Sequence, residues 1–256
     1  FPEIPFKLYQ GYVIVMDGRI CTLEHQNLLL DTGTNPSMID RSIAARLGLH
    51  GAPGGLELFN KKVVSESVTL SDFQVGPLRR QNVRVMVADF SKIGKGLGVR
   101  IDAVIGLDLL GGRSFTVDYT KHRFLFGASP EPHTAPLIAN QQFIAVNLST
   151  GGRQLRLLLD TGTPQLVLFQ SHLRDLDYVF TGTTGSGQNI SGNVAYGNVI
   201  LPQASIGTQD VGPRRASIVA SQQDVESDFD GLLGISSLRP KRISFDFEKQ
   251  VMGWSD

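Results

Sequence analysis

Two aspartates sit in copies of one short segment. Leu28-Leu29-Leu30-Asp31-Thr32-Gly33-Thr34 recurs as Leu157-Leu158-Leu159-Asp160-Thr161-Gly162-Thr163, with the two acids 129 positions apart. Composition alone should yield one Asp-Thr-Gly in roughly every ten to twenty chains of this size. Two copies, each closing an apolar run and half a chain-length apart, point instead to an internal duplication.

The chemistry that such a pair can do is specific. Two carboxylates held close together cannot both be ionised without a large Coulombic cost, so they share one proton and their pKa values separate. One acid and one base then face a single water molecule. That is the equipment for adding water to an amide carbonyl without a covalent intermediate. Asp31 and Asp160 are therefore the candidate catalytic residues. The Thr32 and Thr161 hydroxyls can hydrogen-bond across the junction, and Gly33 and Gly162 let each backbone turn tightly and approach its mate. The five histidines have no spacing suited to a metal site, and neither a metal nor a cofactor is expected.

Each aspartate must be delivered by a strand and braced from behind. In the first half the run Tyr12–Met16, a turn at Asp17-Gly18 and a return through Ile20 and Leu23 read as a hairpin. In the second, Phe143–Val146 and Leu155–Leu159 flank a turn at Ser149–Gly152. Beyond the loops lie short strands at Ser37–Ile39 and Val167–Phe169. Each precedes a helix: one capped by Asp40 and ended by Gly48, and a shorter one over Ser171–Leu176. Strands follow at Val83–Val87 and Ala216–Val219, and Gly94–Gly98 reads as a plain loop insertion. Ile101–Gly106 and Phe229–Gly234 are apolar strands that thread behind the aspartates, with Asp102 and Asp230 as structural hydrogen-bonding acids. Period-two alternation marks closing hairpins at Phe115–Phe126 and Ile243–Trp254. Three prolines in Ala128–Pro136 read as a semi-rigid, exposed linker. The division is thus a lobe over 1–128, a linker over 129–139 and a lobe over 140–256.

Leu-Leu-Asp-Thr-Gly is followed 75 residues on by Val104-Ile105-Gly106, and its copy 74 residues on by Leu232-Leu233-Gly234. Four motifs in this register resemble the aspartic peptidases of the retropepsin and pepsin class. The resemblance implies an all-β fold: two pseudo-symmetric retropepsin-like β-barrel lobes with small helices and the site at their interface. It further implies an endopeptidase of acidic optimum, with water activated between Asp31 and Asp160 and an extended peptide in the inter-lobe cleft. The same fold without turnover, a silent peptide-binding module, is the alternative. Flap hairpins are expected within Gly51–Val64 and Thr181–Tyr196, with Phe59, Gly192 and Tyr196 as substrate contacts. The short, near-symmetrical lobes look like a bacterial-style tandem retropepsin. Retroviral lobes carry an Asp–Arg pair two residues past Asp-Thr-Gly and just after the later glycine. Here those places hold Asn35 and Leu107, and Pro164 and Ile235. Covalent tethering removes the association cost that such a bridge helps to offset, so a monomer is expected.

Composition excludes several classes. A chain of 256 residues with 28 Gly and 12 Pro suits many short strands joined by tight turns. Its formal net charge of zero gives no basic footprint for nucleic acid. No apolar stretch approaches the ~20 residues of a membrane-spanning helix. Cys21 is the single cysteine, which excludes an internal disulfide, and it reads as a half-buried strand residue. A first residue of Phe points to removed upstream sequence, and an extracytoplasmic location, periplasmic or secreted, is the expectation. The partner is a peptide or protein substrate.

Thr34 and Thr163 stand where a hydroxyl can donate to the outer carboxylate oxygen and favour the ionised form. Replacing both by Ala should move the acid limb of the pH–rate profile upward, a shift read directly from activity across pH.

Overall fold

The computed structural model describes residues 2–58, 61–174, 176–189, 192–220 and 228–256. The first half contributes β1 (Glu3–Tyr9), β2 (Val13–Ile20), β3 (Leu23–Leu30), β4 (Met38–Asp40), α1 (Arg41–Arg46), β5 (Ala52–Leu58), β6 (Lys61–Val75) and β7 (Leu78–Ala88). It continues with α2 (Ser91–Leu97), β8 (Ala103–Ile105), α3 (Leu107–Leu110), β9 (Phe115–Asp118) and β10 (Arg123–Phe126). The second half contributes β11 (His133–Pro136), β12 (Ile138–Ala139), β13 (Ile144–Thr150), β14 (Arg153–Asp160), β15 (Leu166–Phe169), β16 (Val179–Asn189) and β17 (Gly192–Leu201). It ends with β18 (Ser205–Ile206), β19 (Gln209–Asp210), β20 (Arg214–Val219), β21 (Gly231–Gly234), β22 (Arg242–Asp246) and β23 (Val251–Ser255). The fold is all-β with short helices, as the motifs implied.

In the first lobe β2-β3-β8-β4-β7-β6 close into a six-stranded barrel through the β2–β6 pairing. In the second, β13-β14-β21-β15-β20-β17-β16 follow the same path, and no closing pair is found among the described residues. The two lobes meet in a sheet ordered β11-β23-β22-β9-β10-β1. At its centre β9 pairs with β22, setting Thr116 opposite Ser244 and Phe115 opposite Phe245. The Thr116 and Ser244 hydroxyls are 3.2 Å apart, and the Phe115 and Phe245 rings are 4.8 Å apart. Equivalent residues facing one another mark the pseudo-twofold axis. The main apolar cluster, holding Leu28, Leu30, Phe115, Leu157, Leu159 and Phe245, runs through both lobes.

Several expectations are corrected. The first hairpin turns at Cys21-Thr22, not at Asp17-Gly18. Gly18 lies inside β2 because a β-carbon there would sit 2.6 Å from the Gln74 carbonyl of the adjacent β6. Cys21 is accordingly a turn residue, with φ of 52°, and not a strand residue. The Gly94–Gly98 stretch is no loop: it forms the end of α2, whose Ile93 and Leu97 pack on a buried cluster. Tertiary burial outweighs the poor helix propensity of its glycines. In the second half the expected helix shrinks to a single 3-10 turn at Gln170–His172. The Pro-rich stretch carries β11, paired with β23, and Ala135 within it is buried.

Asp102 and Asp230 both hold the strand that leads to an Asp-Thr-Gly loop. Asp102 is fully buried, accepts the Asn27 N–H at 2.8 Å and pairs with Arg100 at 2.7 Å. Asp230 accepts the Arg156 N–H at 2.7 Å and retains some solvent contact, with His172 3.3 Å away. Asp102→Ala should therefore cost about 2–3 kcal/mol in urea unfolding, because it strands a buried donor and an arginine. Asp230→Ala should cost about 1 kcal/mol, since water reaches its partners.

Candidate active site

β3 and β14 deliver Asp31 and Asp160 to the same point, and the threonines that follow hold them there. The Thr32 hydroxyl donates to the Leu159 carbonyl at 2.8 Å and accepts the Thr161 N–H at 3.1 Å. Reciprocally, the Thr161 hydroxyl donates to the Leu30 carbonyl at 2.9 Å and accepts the Thr32 N–H at 3.0 Å. Thr32 and Thr161 are almost fully buried, so these four bonds are shielded from competing water.

Behind them the later glycines make room. A β-carbon on Gly106 would lie 2.1 Å from the Thr34 carbonyl, and one on Gly234 would lie 2.4 Å from that of Thr163. Each catalytic loop thus rests directly on the turn that follows its apolar strand. A bulkier residue at either glycine would push the aspartates apart.

The carboxylates meet across the junction. A β-carbon on Gly33 would sit 2.8 Å from the Asp160 carboxyl carbon, and one on Gly162 would sit 2.8 Å from that of Asp31. Each aspartate also accepts an N–H from its own loop, Gly33 at 2.9 Å and Gly162 at 2.6 Å. Burial pushes the Asp160 carboxyl well above the ordinary carboxylate range. The neighbouring Asp31 charge and a hydrogen bond to Asp31 add to that rise, while the Gly162 and Thr163 N–H groups oppose it.

The two halves of the site differ. Thr34 donates its hydroxyl to Asp31 Oδ2 at 2.7 Å. On the other side, among the described residues, Thr163 reaches Asp160 through its backbone N–H. The expected pair of hydroxyl donors is thus one donor. Asp31 keeps partial exposure while Asp160 is buried. Tyr12, in the turn between β1 and β2, brings its hydroxyl near Asp160 from the opposite lobe. Burial first, then the Asp160 charge, raise its pKa.

Where the retroviral Asp–Arg brace is missing, the first lobe uses another. Asp108 in α3 accepts both the N–H and the hydroxyl of buried Ser37, and Ser37 Oγ accepts the Gly106 N–H at 2.8 Å. Neither Asp108 nor Tyr12 stood out in the sequence. The former follows Val-Ile-Gly by two places, a signal visible only once the loop after Asp31 is known to lie against it.

Two hairpins, β5–β6 and β16–β17, contain the flap candidates. Phe59 lies outside the described residues. Gly192 opens β17. Tyr196, half-buried on the same strand, lays its ring across Gly185, where a β-carbon would be 2.7 Å from the ring. It packs with Val167, Phe169, Val219 and Leu232, at the base of the hairpin. Among the described residues no group of three or more His, Cys, Asp or Glu could hold a metal ion, and no helix is long and apolar enough to cross a membrane.

Two measurements follow from the asymmetry. Thr34→Ala alone should move the acid limb of activity upward, and Thr163→Ala should leave it nearly in place, because only the first removes a donor to a carboxylate. The second is a stability measurement. Between the ordinary aspartate value and the raised value of Asp160, the folded protein keeps a proton that the unfolded chain has released. Stability therefore falls as pH rises through that window. Asp160→Asn cannot titrate, so its melting temperature relative to the parent should rise on going from about pH 4 to about pH 7.

The comparisons accord with this geometry. The family model described as aspartyl protease matches residues 16–109 and again 146–237. No curated protein matches the sequence. A solved structure, the crystal structure of Basic 7S globulin from soybean, is similar with a TM-score of 0.52 and 16% identity. The match covers 99% of this chain and 94% of that one. At that identity the likeness speaks for the fold alone. The two family matches each contain one Asp-Thr-Gly loop and its apolar strand, so the chain belongs to the aspartyl protease family as a tandem of two retropepsin-like repeats.

Proposed function

We propose that the protein is an aspartic endopeptidase that cleaves extended peptides at acidic pH, using Asp31 and Asp160 as one proton-sharing pair. The observation that carries this reading is the reciprocal fit of each Asp-Thr-Gly glycine against the opposite carboxylate. That fit leaves the two acids facing a common water position.

Asp31, with the Thr34 hydroxyl on its outer oxygen, is the ionised base, and Asp160 is the acid. A water between them gives its proton to Asp31 as its oxygen adds to the scissile carbonyl carbon. Asp160 donates its proton to the carbonyl oxygen, so the tetrahedral intermediate is a neutral diol. The proton on Asp31 then passes to the leaving nitrogen. As the carbon–nitrogen bond breaks, a diol hydroxyl returns its proton to Asp160 and the carboxylic acid product forms. Every proton is accounted for within the pair, and the enzyme ends as it began. The active unit is a monomer, since one chain supplies both acids.

Asp31→Asn and Asp160→Asn should each lower kcat/KM by about 10³-fold or more while the circular dichroism spectrum is retained. The assay is digestion of a peptide library at several pH values, with and without a statine-type inhibitor. Full activity in either variant would exclude the shared pair.

A further inference from the structure

The second-lobe hairpin differs from its first-lobe counterpart in one structural respect. β5 and β6 pair without interruption from Ala52–Ser67 to Leu58–Lys61. β16 and β17 slip in register between Phe180 and Thr184, so Thr181, Gly182 and Thr183 form a β-bulge. Gly182 takes a left-handed φ of 73°, a conformation that glycine adopts without strain. A bulge bends and twists its strand, which makes this the natural pivot of the hairpin.

Asn198 of β17 holds that pivot. Its side-chain amide donates to the Thr183 hydroxyl at 3.1 Å, and its backbone carbonyl accepts the Thr181 hydroxyl at 3.0 Å. The two threonine hydroxyls are 2.9 Å apart. From Asn198 a polar path leads inward. The hydroxyl of Ser217, buried and directly opposite on β20, lies 3.5 Å from the Asn198 side-chain oxygen. The Gln165 side-chain amide donates to that same hydroxyl. Gln165 is five residues past Asp160, and its carbonyl accepts the Gly234 N–H at 3.1 Å. The path therefore joins the hairpin pivot to the loop that carries Asp160.

The first lobe breaks this path at equivalent places. Strand registers set Ser67 opposite Met86, and Met86 beside Met38, as Asn198 is set opposite Ser217 and Ser217 beside Val167. Pro36 stands where Gln165 stands, five residues after its aspartate. The proline and methionine side chains donate nothing, and Ser67 is engaged by Arg84 at 2.8 Å. A buried polar path is stabilising only when its members are satisfied together, so its presence in one lobe alone calls for a reason.

We propose that Gln165, Ser217 and Asn198 are positioning residues that couple the β16–β17 hairpin to the Asp160 loop, making this hairpin the closing flap and the Thr181–Thr183 bulge its hinge. The mechanical part stands on the hydrogen bonds alone, and the kinetic part rests on the peptidase reading. Bending at the bulge strains the Asn198 contacts, and the path passes that displacement to the loop. Among the described residues, the β5–β6 hairpin shows neither the register slip nor the path.

The test is amide hydrogen exchange of the unliganded full chain, with Gln165→Ala, Ser217→Ala and Asn198→Ala compared with the parent and with Ser67→Ala. Each of the first three should speed exchange across 179–189 and 192–201 by about fivefold, the scale of one lost hydrogen bond. Exchange in β5–β6 should stay unchanged, and Ser217→Thr, which keeps the hydroxyl, should restore the parent rate. Steady-state kinetics should show KM raised about fivefold with kcat within about twofold, the mark of weakened substrate closure without lost chemistry. If Gln165→Ala alters exchange only near its own loop, or if all three variants accelerate exchange uniformly across both lobes, the coupling is refuted. If the exchange pattern holds while the parent cleaves no peptide at any pH, the peptidase reading falls and the mechanical coupling stands.

Discussion

Four hydrogen bonds between two threonines and the opposite main chain hold the molecule's defining arrangement. Without the Thr32–Thr161 interlock, two carboxylates at one point would separate, since each gains by moving toward water and away from the other charge. The rest of the fold can be read as support for that interlock. Strands β3 and β14 aim the loops, β8 and β21 press on them from behind, and Asp102 and Asp230 keep those strands from slipping. At the far end of the pseudo-twofold axis, Thr116 faces Ser244 across β9 and β22, so the lobes are pinned at two points on one line. Two pins resist rotation where one would allow it.

Within this symmetry the chain has become asymmetric where proton chemistry needs it. A symmetric pair would leave the proton equally placed on either acid. Here burial favours the protonated form of Asp160, while Asp31 keeps partial exposure and accepts the Thr34 hydroxyl. The surroundings follow the same division. The first barrel closes, carries α2 and uses the Ser37–Asp108 brace, whereas the second sheet carries a hairpin that slips in register. The two lobes thus differ in detail, a division that a homodimer of identical lobes could not encode.

The errors in reading the sequence share one cause. Asp17-Gly18 has the composition of a hairpin turn, yet β6 passes so close that the glycine is needed inside the strand, and the turn falls at Cys21-Thr22. Gly94–Gly98 has the composition of a loop, yet Ile93 and Leu97 find a buried cluster to cover and α2 forms. Local preference in each case is worth about 1 kcal/mol or less per residue, and burial of large apolar side chains exceeds it. Tyr12 and Asp108 left no trace in the pattern because their partners, Asp160 and Ser37, are distant along the chain.

What the sequence determined by itself was the repeated part. Asp-Thr-Gly and its following apolar-apolar-Gly appear twice at nearly equal spacing, and their chemistry is local: an acid, a hydroxyl and a residue with no side chain. From these came the family, the duplication, the all-β lobes and the pairing of Asp31 with Asp160. What only the tertiary structure decided was which acid is buried, which threonine donates a hydroxyl and which hairpin slips in register. Those differences arise from burial and from contacts between segments far apart in the chain, and two identical tripeptides carry no information about either.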